Sequence, residues 1–288
     1  MNPKAWSVAG DIRQSMERLT RMERKVALTL LTNYPVAGLG TLVELADKSS
    51  VSAPTVHRFI GKLGYSGYAD FQQALRTELE SQFQSPLTKR IGGEAEAAQS
   101  ENFLETFFEA VEENLRRTFD QISYSEFEAV VSLLCDRRRT IYMFGGRFTD
   151  ALAEYLYFHL HAIRENVQHI GGQPALWLET LLNLGPRDVI LIFDVRRYQD
   201  DVIHFAEQAA KRRATVVLLT DKWLSPITRV AKHVFPVFIE VPSKWDSSAA
   251  TMVLVDAIIG AVNHKLWPKT RDRMERLEEL RKSRHEPS

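Results

Sequence analysis

The sequence predicts two domains, an all-helical bundle followed by an α/β domain with a five-stranded parallel sheet covered by helices on both faces. Three observations predict it. Residues 1–83 carry capped segments with helical apolar spacing and no strand-like runs. Residues 84–100 lose that periodicity and hold Pro86, Gly92 and Gly93, as a linker does. From residue 139 onward, short apolar runs alternate with helical patterns, which is how a parallel sheet buried on both faces is written. The expected boundaries are therefore 1–83, a linker at 84–100, and 101–288.

The head is taken in order. Ile12, Met16 and Leu19 mark a first helix. Thr20 and Glu23 have capping-box spacing, and Val26, Leu28, Leu30 and Leu31 continue into a second helix that Pro35 ends. Thr41 and Glu44 repeat that spacing ahead of Leu42, Leu45 and Ala46, and the polar run 47–50 breaks this third helix. Ser52 is an N-cap for the fourth, with Pro54 in its first turn. Val56, Phe59, Ile60 and Leu63 give that helix a buried stripe, leaving Thr55, His57, Arg58 and Lys62 for its other faces. No acidic residue lies between Ser52 and Lys62. A fifth helix spans 68–83, with Phe71, Leu75 and Leu79 on one side. A short helix, a tight turn and a capped, one-sidedly basic helix make the pattern of a helix-turn-helix that enters the DNA major groove. A helical hairpin inside any core shares the spacing alone.

In the second domain, Phe103, Phe107, Val111, Leu115 and Phe119 recur at steps of four, with Leu104 and Phe108 alongside. This wide apolar face packs either on the rest of the domain or on a partner subunit. Ser125 and Glu128 cap a helix running to Cys135. Strands are expected at 140–144, 167–170, 189–193, 215–219 and 234–237. Helices are expected at 149–164, 174–184, 198–212, 226–231 and 246–266.

The 37 Lys and Arg residues balance the 37 Asp and Glu residues, but unevenly along the chain. Residues 1–90 hold 12 basic and 8 acidic side chains and the remainder 25 and 29, so a basic head sits on an acidic body. Cys135 is the only cysteine, which excludes an intrachain disulfide, and its neighbours Leu133 and Leu134 make it a core thiol. The most apolar run, 249–262, is 14 residues with Asp256 inside it, and the N-terminus is charged and amphipathic. A soluble cytoplasmic protein with no membrane partner is expected.

The run VSAPTVHRFIGKLGYSGYADFQ, residues 51–72, resembles the N-terminal domain of the RpiR family of bacterial transcriptional regulators. The likeness rests on Ser52, Thr55, Val56, Arg58 and Phe59, then Leu63, Gly64, Tyr65, Gly67 and Tyr68. The resemblance implies a transcriptional regulator, not an enzyme, that binds a palindromic duplex as a homodimer or homotetramer. The DNA-facing candidates are Thr41, Ser52, Thr55, Val56, His57, Arg58 and Lys62, with His57 placed at a base. Arg58 has a structural rival use, pairing with Glu44. The family's second domain is a sugar isomerase (SIS) domain, which usually binds phosphosugars. Residues 130–266 are similar to it in the order of their elements.

Ligands of open parallel sheets bind at the carboxyl ends of the strands. Two turns there stand out, Gly145-Gly146-Arg147-Phe148-Thr149 and Asp194-Val195-Arg196-Arg197-Tyr198. The family's Gly-x-Gly-x-Ser turn is matched loosely by Gly145, Arg147 and Thr149. Its hydroxyl-rich Ser-x-Ser-Gly-x-Thr loop is replaced at 193–198 by an acid followed by two arginines. Three readings compete. Arg196 and Arg197 grip an anion, Asp194 pairs with Arg147 or Arg196 to close the pocket, or the site is degenerate and the domain only dimerises. Gly146 and Tyr198 belong to the same candidate set. Ser247 and Ser248 serve as a helix cap or as ligand hydroxyls, and Lys244 is nearby. A small anionic metabolite is the expected effector, shifting the spacing of the heads.

The rival functions are a sugar-phosphate isomerase and a DNA-binding protein that senses nothing. Isomerisation needs a base, and Glu165, His169, Glu240 and His264 are available, none in a motif. His159 and His161 are two apart on a helix and point away from each other. No Cys/His cluster has metal spacing and no cofactor is expected.

Overall fold

The computed structural model describes residues 7–83 and 102–283. The expected linker, 84–100, lies outside the described residues. The head contains α1 (Val8–Ser15), α2 (Arg21–Thr32), α3 (Leu42–Lys48), α4 (Ala53–Lys62) and α5 (Tyr68–Phe83), with 3-10 turns at Met16–Arg18 and Val36–Gly38. Both capping boxes form. The Thr20 N–H donates to Glu23 at 2.8 Å and the Thr41 N–H to Glu44 at 2.9 Å, with the threonine hydroxyls accepting in return. Ile12, Val26, Leu30, Leu45, Val56, Phe59, Ile60, Phe71 and Leu75 close one core among the five helices. Leu28, expected in the stripe of α2, is exposed, and Leu79 is half-buried.

The body carries α6 (Phe103–Gln121), α7 (Tyr124–Cys135), β1 (Ile141–Gly145), α8 (Asp150–Ile163), β2 (Val167–His169), α9 (Pro174–Asn183), β3 (Val189–Asp194), α10 (Asp200–Lys211), β4 (Thr215–Asp221), β5 (His233–Val237) and α11 (Ala249–Ser283). A 3-10 turn, Pro226–Arg229, stands where a helix was expected between β4 and β5. The strands pair in parallel in the order β2-β1-β3-β4-β5. Successive residues point to opposite faces. Ile141, Met143, Leu191, Phe193, Val217 and Leu219 face α7, α8 and α11. Tyr142, Phe144, Ile190, Ile192, Val216 and Leu218 face α9 and α10. The sheet is thus buried on both sides, and its apolar strands read as continuous runs for that reason.

Two expectations need correction. α7 starts earlier, at Ser123 as N-cap, whose hydroxyl bonds that of Ser125 at 2.8 Å; Glu128 instead pairs with Lys265 at 2.5 Å. The last helix does not stop at 266 but runs 35 residues through Pro268. Its distal half is held by Arg271–Glu275 at 2.8 Å and by Thr270, which is buried and donates to the Ile163 carbonyl at 3.4 Å. By length and composition this helix is apolar enough to cross a membrane, and its Leu254, Val255, Ile258 and Val262 are fully buried in the body core. The apolar face of α6 is only partly used. Asn114, Thr118 and Gln121 bond the backbone of Glu240, Phe238 and Pro236 at 2.6–3.0 Å, while Phe103, Leu104 and Phe108 stay exposed, Leu104 at 77%.

Candidate functional site

The first site is the α3–α4 unit. α3 ends in a Schellman motif: Ser50 takes a left-handed conformation, φ 51°, the Val51 N–H donates to the Ala46 carbonyl and the Ser50 N–H to that of Asp47, both at 3.0 Å. α4 ends the same way around Gly64, φ 80°, with Tyr65 N–H to Ile60 at 3.2 Å and Gly64 N–H to Gly61 at 2.9 Å. These two stops fix the direction of α4. Its inner side buries Val56, Phe59 and Ile60, and its outer side exposes Ser52, Pro54, His57, Arg58, Gly61 and Lys62.

Two candidates leave the outer set. Val56 is fully buried, because it falls on the same stripe as Phe59 and Ile60. Thr55 is buried too, its hydroxyl shared between Ser52 at 3.0 Å and Arg58 at 3.4 Å. Ser52 occupies the N-cap position, but its hydroxyl turns to Thr55 and makes no cap bond. Thr41 is exposed, with its hydroxyl committed to the Glu44 N–H. Glu44 closes its own capping box, and the side-chain bond of Arg58 goes to Thr55. Lys62 forms an ion pair with Glu23 at 2.7 Å, a constraint across α2 and α4 that sequence spacing does not reveal.

The second site follows from the strand order. The chain leaves β1 into α8 on one face of the sheet and leaves β3 into α10 on the other, yet β1 and β3 are neighbours. The turns after them diverge and leave a crevice, the switch point where such sheets take ligands. Gly145 and Gly146 allow a close approach there: a Cβ on Gly145 would lie 2.6 Å from the Asp150 nitrogen, and one on Gly146 2.7 Å from Gln199 Oε1.

Several N–H donors of the two turns are already engaged. The Gly145 N–H bonds Asp150 at 3.0 Å, the Gly146 N–H bonds Thr149 Oγ1 at 3.0 Å, and the Arg147 N–H bonds Gln199 Oε1 at 2.8 Å. Thr149 is buried and donates to the Phe193 carbonyl at 2.7 Å, so its hydroxyl locks the two turns together. On the β3 side, Asp221 at the end of β4 accepts the Arg196 N–H at 2.5 Å, the Tyr198 hydroxyl at 2.8 Å and the Trp223 N–H at 2.9 Å. A buried carboxylate thus sits among the donors an anion would use. Burial raises its pKa, against those three hydrogen bonds.

Among the described residues Asp194 pairs with no arginine. It is buried, accepts the Ser225 hydroxyl, and is pushed up to about 7 by burial with Asp221 adding to it. Arg196 instead lies over the Trp223 ring at 4.0 Å, with Glu240 at 3.7 Å and Asp246 at 3.5 Å. Its side chain is 6% exposed, and its Nε and Nη2 make no hydrogen bond among the described residues. Arg147 and Arg197 are exposed, Arg197 in a left-handed conformation of φ 62°. Ser247 accepts the Ala249 N–H at 3.2 Å at the start of α11, and the Ser248 carbonyl accepts from Met252.

The comparisons agree with this architecture. A model of the helix-turn-helix domain of the rpiR family matches residues 7–82, and a model of the SIS domain matches residues 133–261. The chain belongs to the RpiR family of transcriptional regulators. A relative in Haemophilus influenzae, described as an uncharacterized HTH-type transcriptional regulator, is 27% identical over 234 residues, 80% of each chain. The HTH-type transcriptional regulator HexR of Escherichia coli is 23% identical over 95% of this chain and 94% of its own. Among solved structures, the Vibrio vulnificus NanR protein complexed with ManNAc-6P has the same fold at a TM-score of 0.54 and 21% identity, covering 94% of this chain and 97% of that one.

In this RpiR regulator the four candidate bases do not converge. Glu165 is exposed and pairs with Arg137 and Arg273. His169 bonds Asp150 at 2.9 Å, Glu240 holds Lys222 and Arg196, and His264 is exposed on α11. Cys135 is half-buried, and burial raises its thiol pKa. Sequence reasoning missed Gln199, Asp221, Trp223, Ser225 and Asp246. The first lies one residue past the 194–198 turn. Asp221 ends β4, Trp223 and Ser225 follow it, and Asp246 lies on the loop after β5, so strand order rather than a local motif brings them to the turn.

Proposed function

We propose that this regulator binds duplex DNA through the outer side of α4 and senses a small anionic, sugar-derived metabolite at the β1–β3 crevice. The observation that carries the DNA part is the outer side of α4 itself: His57, Arg58 and Ser52 are exposed, no acid lies between Ser52 and Lys62, and Schellman stops fix the helix at the head surface. Serving the chromosome, it works in the cytoplasm. Two heads on a palindrome require two copies. The exposed Phe103, Leu104 and Phe108 on α6 offer a self-complementary apolar contact for them.

The sensing part draws support from the switch-point geometry and from NanR, whose solved complex holds ManNAc-6P. Arg147 and Arg197 supply exposed guanidinium groups at the turns. The scattered bases argue for regulation without catalysis. The segment after β4 supplies a route between crevice and head. Asp221, Trp223 and Ser225 hold the β3 turn, and four residues on, Arg229 donates to Asn33 of the head at 3.1 Å. Leu224 and Thr228 line a cleft of about 610 Å³ shared with Gly10, Arg13 and Gln14 of α1. A ligand that moved the β3 turn would move this strap.

One observation favours a second reading: the N–H groups of Gly145, Gly146, Arg147 and Arg196 are engaged internally, which suits a body that only dimerises. Two measurements test the pair. Duplexes selected from genomic fragments by the full chain should share a palindrome, and failure to enrich any duplex removes the regulator's proposed DNA contact. Sugar phosphates should raise the melting temperature, since a ligand of the folded state stabilises it. No rise with any of them leaves the dimerising body as the reading that stands.

A further inference from the structure

The mouth of the crevice carries two large aromatic side chains that the fold does not bury. Phe148, on the turn after β1, is 63% exposed, and Trp245, on the loop before α11, is 60% exposed. They meet edge to face, ring centroids 5.7 Å apart and planes at 80°. Both are fixed from behind. Thr149 locks its turn to Phe193, the Trp245 N–H bonds Ser243 Oγ at 3.1 Å, and the Ser247 N–H bonds the Ile239 carbonyl at 2.8 Å. The Arg147 guanidinium stands 5.1 Å over the Phe148 ring. Asp246, next in the chain after Trp245, lies 3.5 Å from the buried Arg196, whose Nε and Nη2 lack hydrogen bonds among the described residues.

An exposed apolar patch held rigid in this way marks a binding surface. Its charged surroundings tell against a purely apolar occupant. A sugar ring offers a flat C–H face to aromatic rings and hydroxyls to polar neighbours, the mixture such sites select. With the Gly145, Gly146, Arg147 and Arg196 N–H groups engaged within the fold, a side-chain cation suits the anionic group, and Arg147 supplies one beside the rings.

We propose that Phe148 and Trp245 form a stacking platform for the ring of a cyclic sugar bearing a phosphate or carboxylate, whose anionic group is taken by Arg147. This rests on the sensing reading above and gives its ligand a shape: ring-closed, with one apolar face.

The test is calorimetric titration of the full chain with glucose 6-phosphate, fructose 6-phosphate and ManNAc-6P, set against glycerol 3-phosphate and inorganic phosphate, which have no ring. At least one ring-bearing probe binds roughly tenfold or more tightly than glycerol 3-phosphate. Trp245→Ala removes that advantage and leaves the affinities for glycerol 3-phosphate and inorganic phosphate unchanged. Trp245→Phe keeps most of it, which separates stacking from any loss of folding. The proposal is overturned if wild type shows no preference for a ring, or if Trp245→Ala keeps the preference. It is overturned equally if Trp245→Ala changes only the sedimenting mass, which would make the platform a contact between copies. Binding of phosphates regardless of Trp245 retains the sensing reading and discards the platform. Binding of none, with no change in melting temperature, discards both.

Discussion

The Lys62 ammonium lies 2.7 Å from a carboxylate oxygen of Glu23, and the two side chains differ sharply in exposure, 42% against 3%. Glu23 also accepts the Thr20 N–H, so one carboxylate both caps α2 and ties α4 to it. Burial pushes the Glu23 carboxyl up, but Lys62 and Thr20 outweigh it and hold it below its ordinary value. Lys62→Ala therefore costs about 1–3 kcal/mol, because a buried carboxylate is left without its cation, and the urea midpoint measures it. Since the folded-state pKa is depressed, this stability is present above the ordinary carboxylate pKa and is lost as pH falls through the folded value. Expected from sequence among the DNA-facing side chains, Lys62 also ties α4 to α2.

Ser50 and Gly64 hold equivalent positions at the ends of α3 and α4, both left-handed, at φ 51° and 80°. The serine bears a steric penalty that the glycine does not. Ser50→Gly raises stability by about 0.5–1 kcal/mol, and Gly64→Ala lowers it by about 1 kcal/mol or more. Thermal midpoints of the two variants should move in opposite directions.

Asp194 carries a pH signature. Burial is the first cause of its rise to about 7, Asp221 adds to it, and the Ser225 hydroxyl works against it. The folded state holds this proton more tightly than the unfolded chain, so stability falls as pH rises from the ordinary carboxylate pKa to about 7 and is level above. Glu78, half-buried, accepts the Tyr34 hydroxyl and the Val8 N–H and is also raised to about 7 by desolvation, so it contributes in the same sense. Asp194→Asn should shrink, without abolishing, the decline of melting temperature between pH 5 and 7, and a decline equal to wild type would remove Asp194 as its source.

The framework is legible in the sequence because local and tertiary preferences agree. Thr20 with Glu23 and Thr41 with Glu44 announce their helices, and β1, β3 and β4 read as strands because both faces are apolar. The helix expected at 226–231 shrinks to one 3-10 turn, Pro226–Arg229, which the Val230 N–H closes on the Ile227 carbonyl. α11 outruns its apolar signal because ion pairs such as Arg271–Glu275, with buried Thr270, carry it past Pro268. The position of the crevice is legible too, but its interior is not. Proximity in sequence pairs Asp194 with Arg196, whereas β4 brings Asp221 and Ser225 to that turn and the loop after β5 brings Glu240 and Asp246. Such partners depend on strand order, which periodicity does not encode.

The contact of Arg229 with Asn33 joins the strap after β4 to the head at 3.1 Å. Arg229→Ala should leave sugar-phosphate affinity unchanged while lowering the ratio of DNA affinities measured with and without ligand. Coupling of this kind is typically about 5–150-fold, and the variant should move toward unity. An unaltered ratio in fluorescence anisotropy would take the strap out of the route.

The central claim is that the outer side of α4 meets the duplex. Arg58 is its most direct probe, because the side chain is exposed and its hydrogen bond goes to the neutral Thr55 hydroxyl at 3.4 Å. The measurement is the salt dependence of affinity for a selected duplex, wild type against Arg58→Ala. If Arg58 meets a phosphate, the substitution should flatten the slope of log K against log salt by about 0.9. If it meets a base edge, the substitution should cost about 1–3 kcal/mol at the selected site. Either change supports the account; identical affinity and slope in the two chains would contradict it.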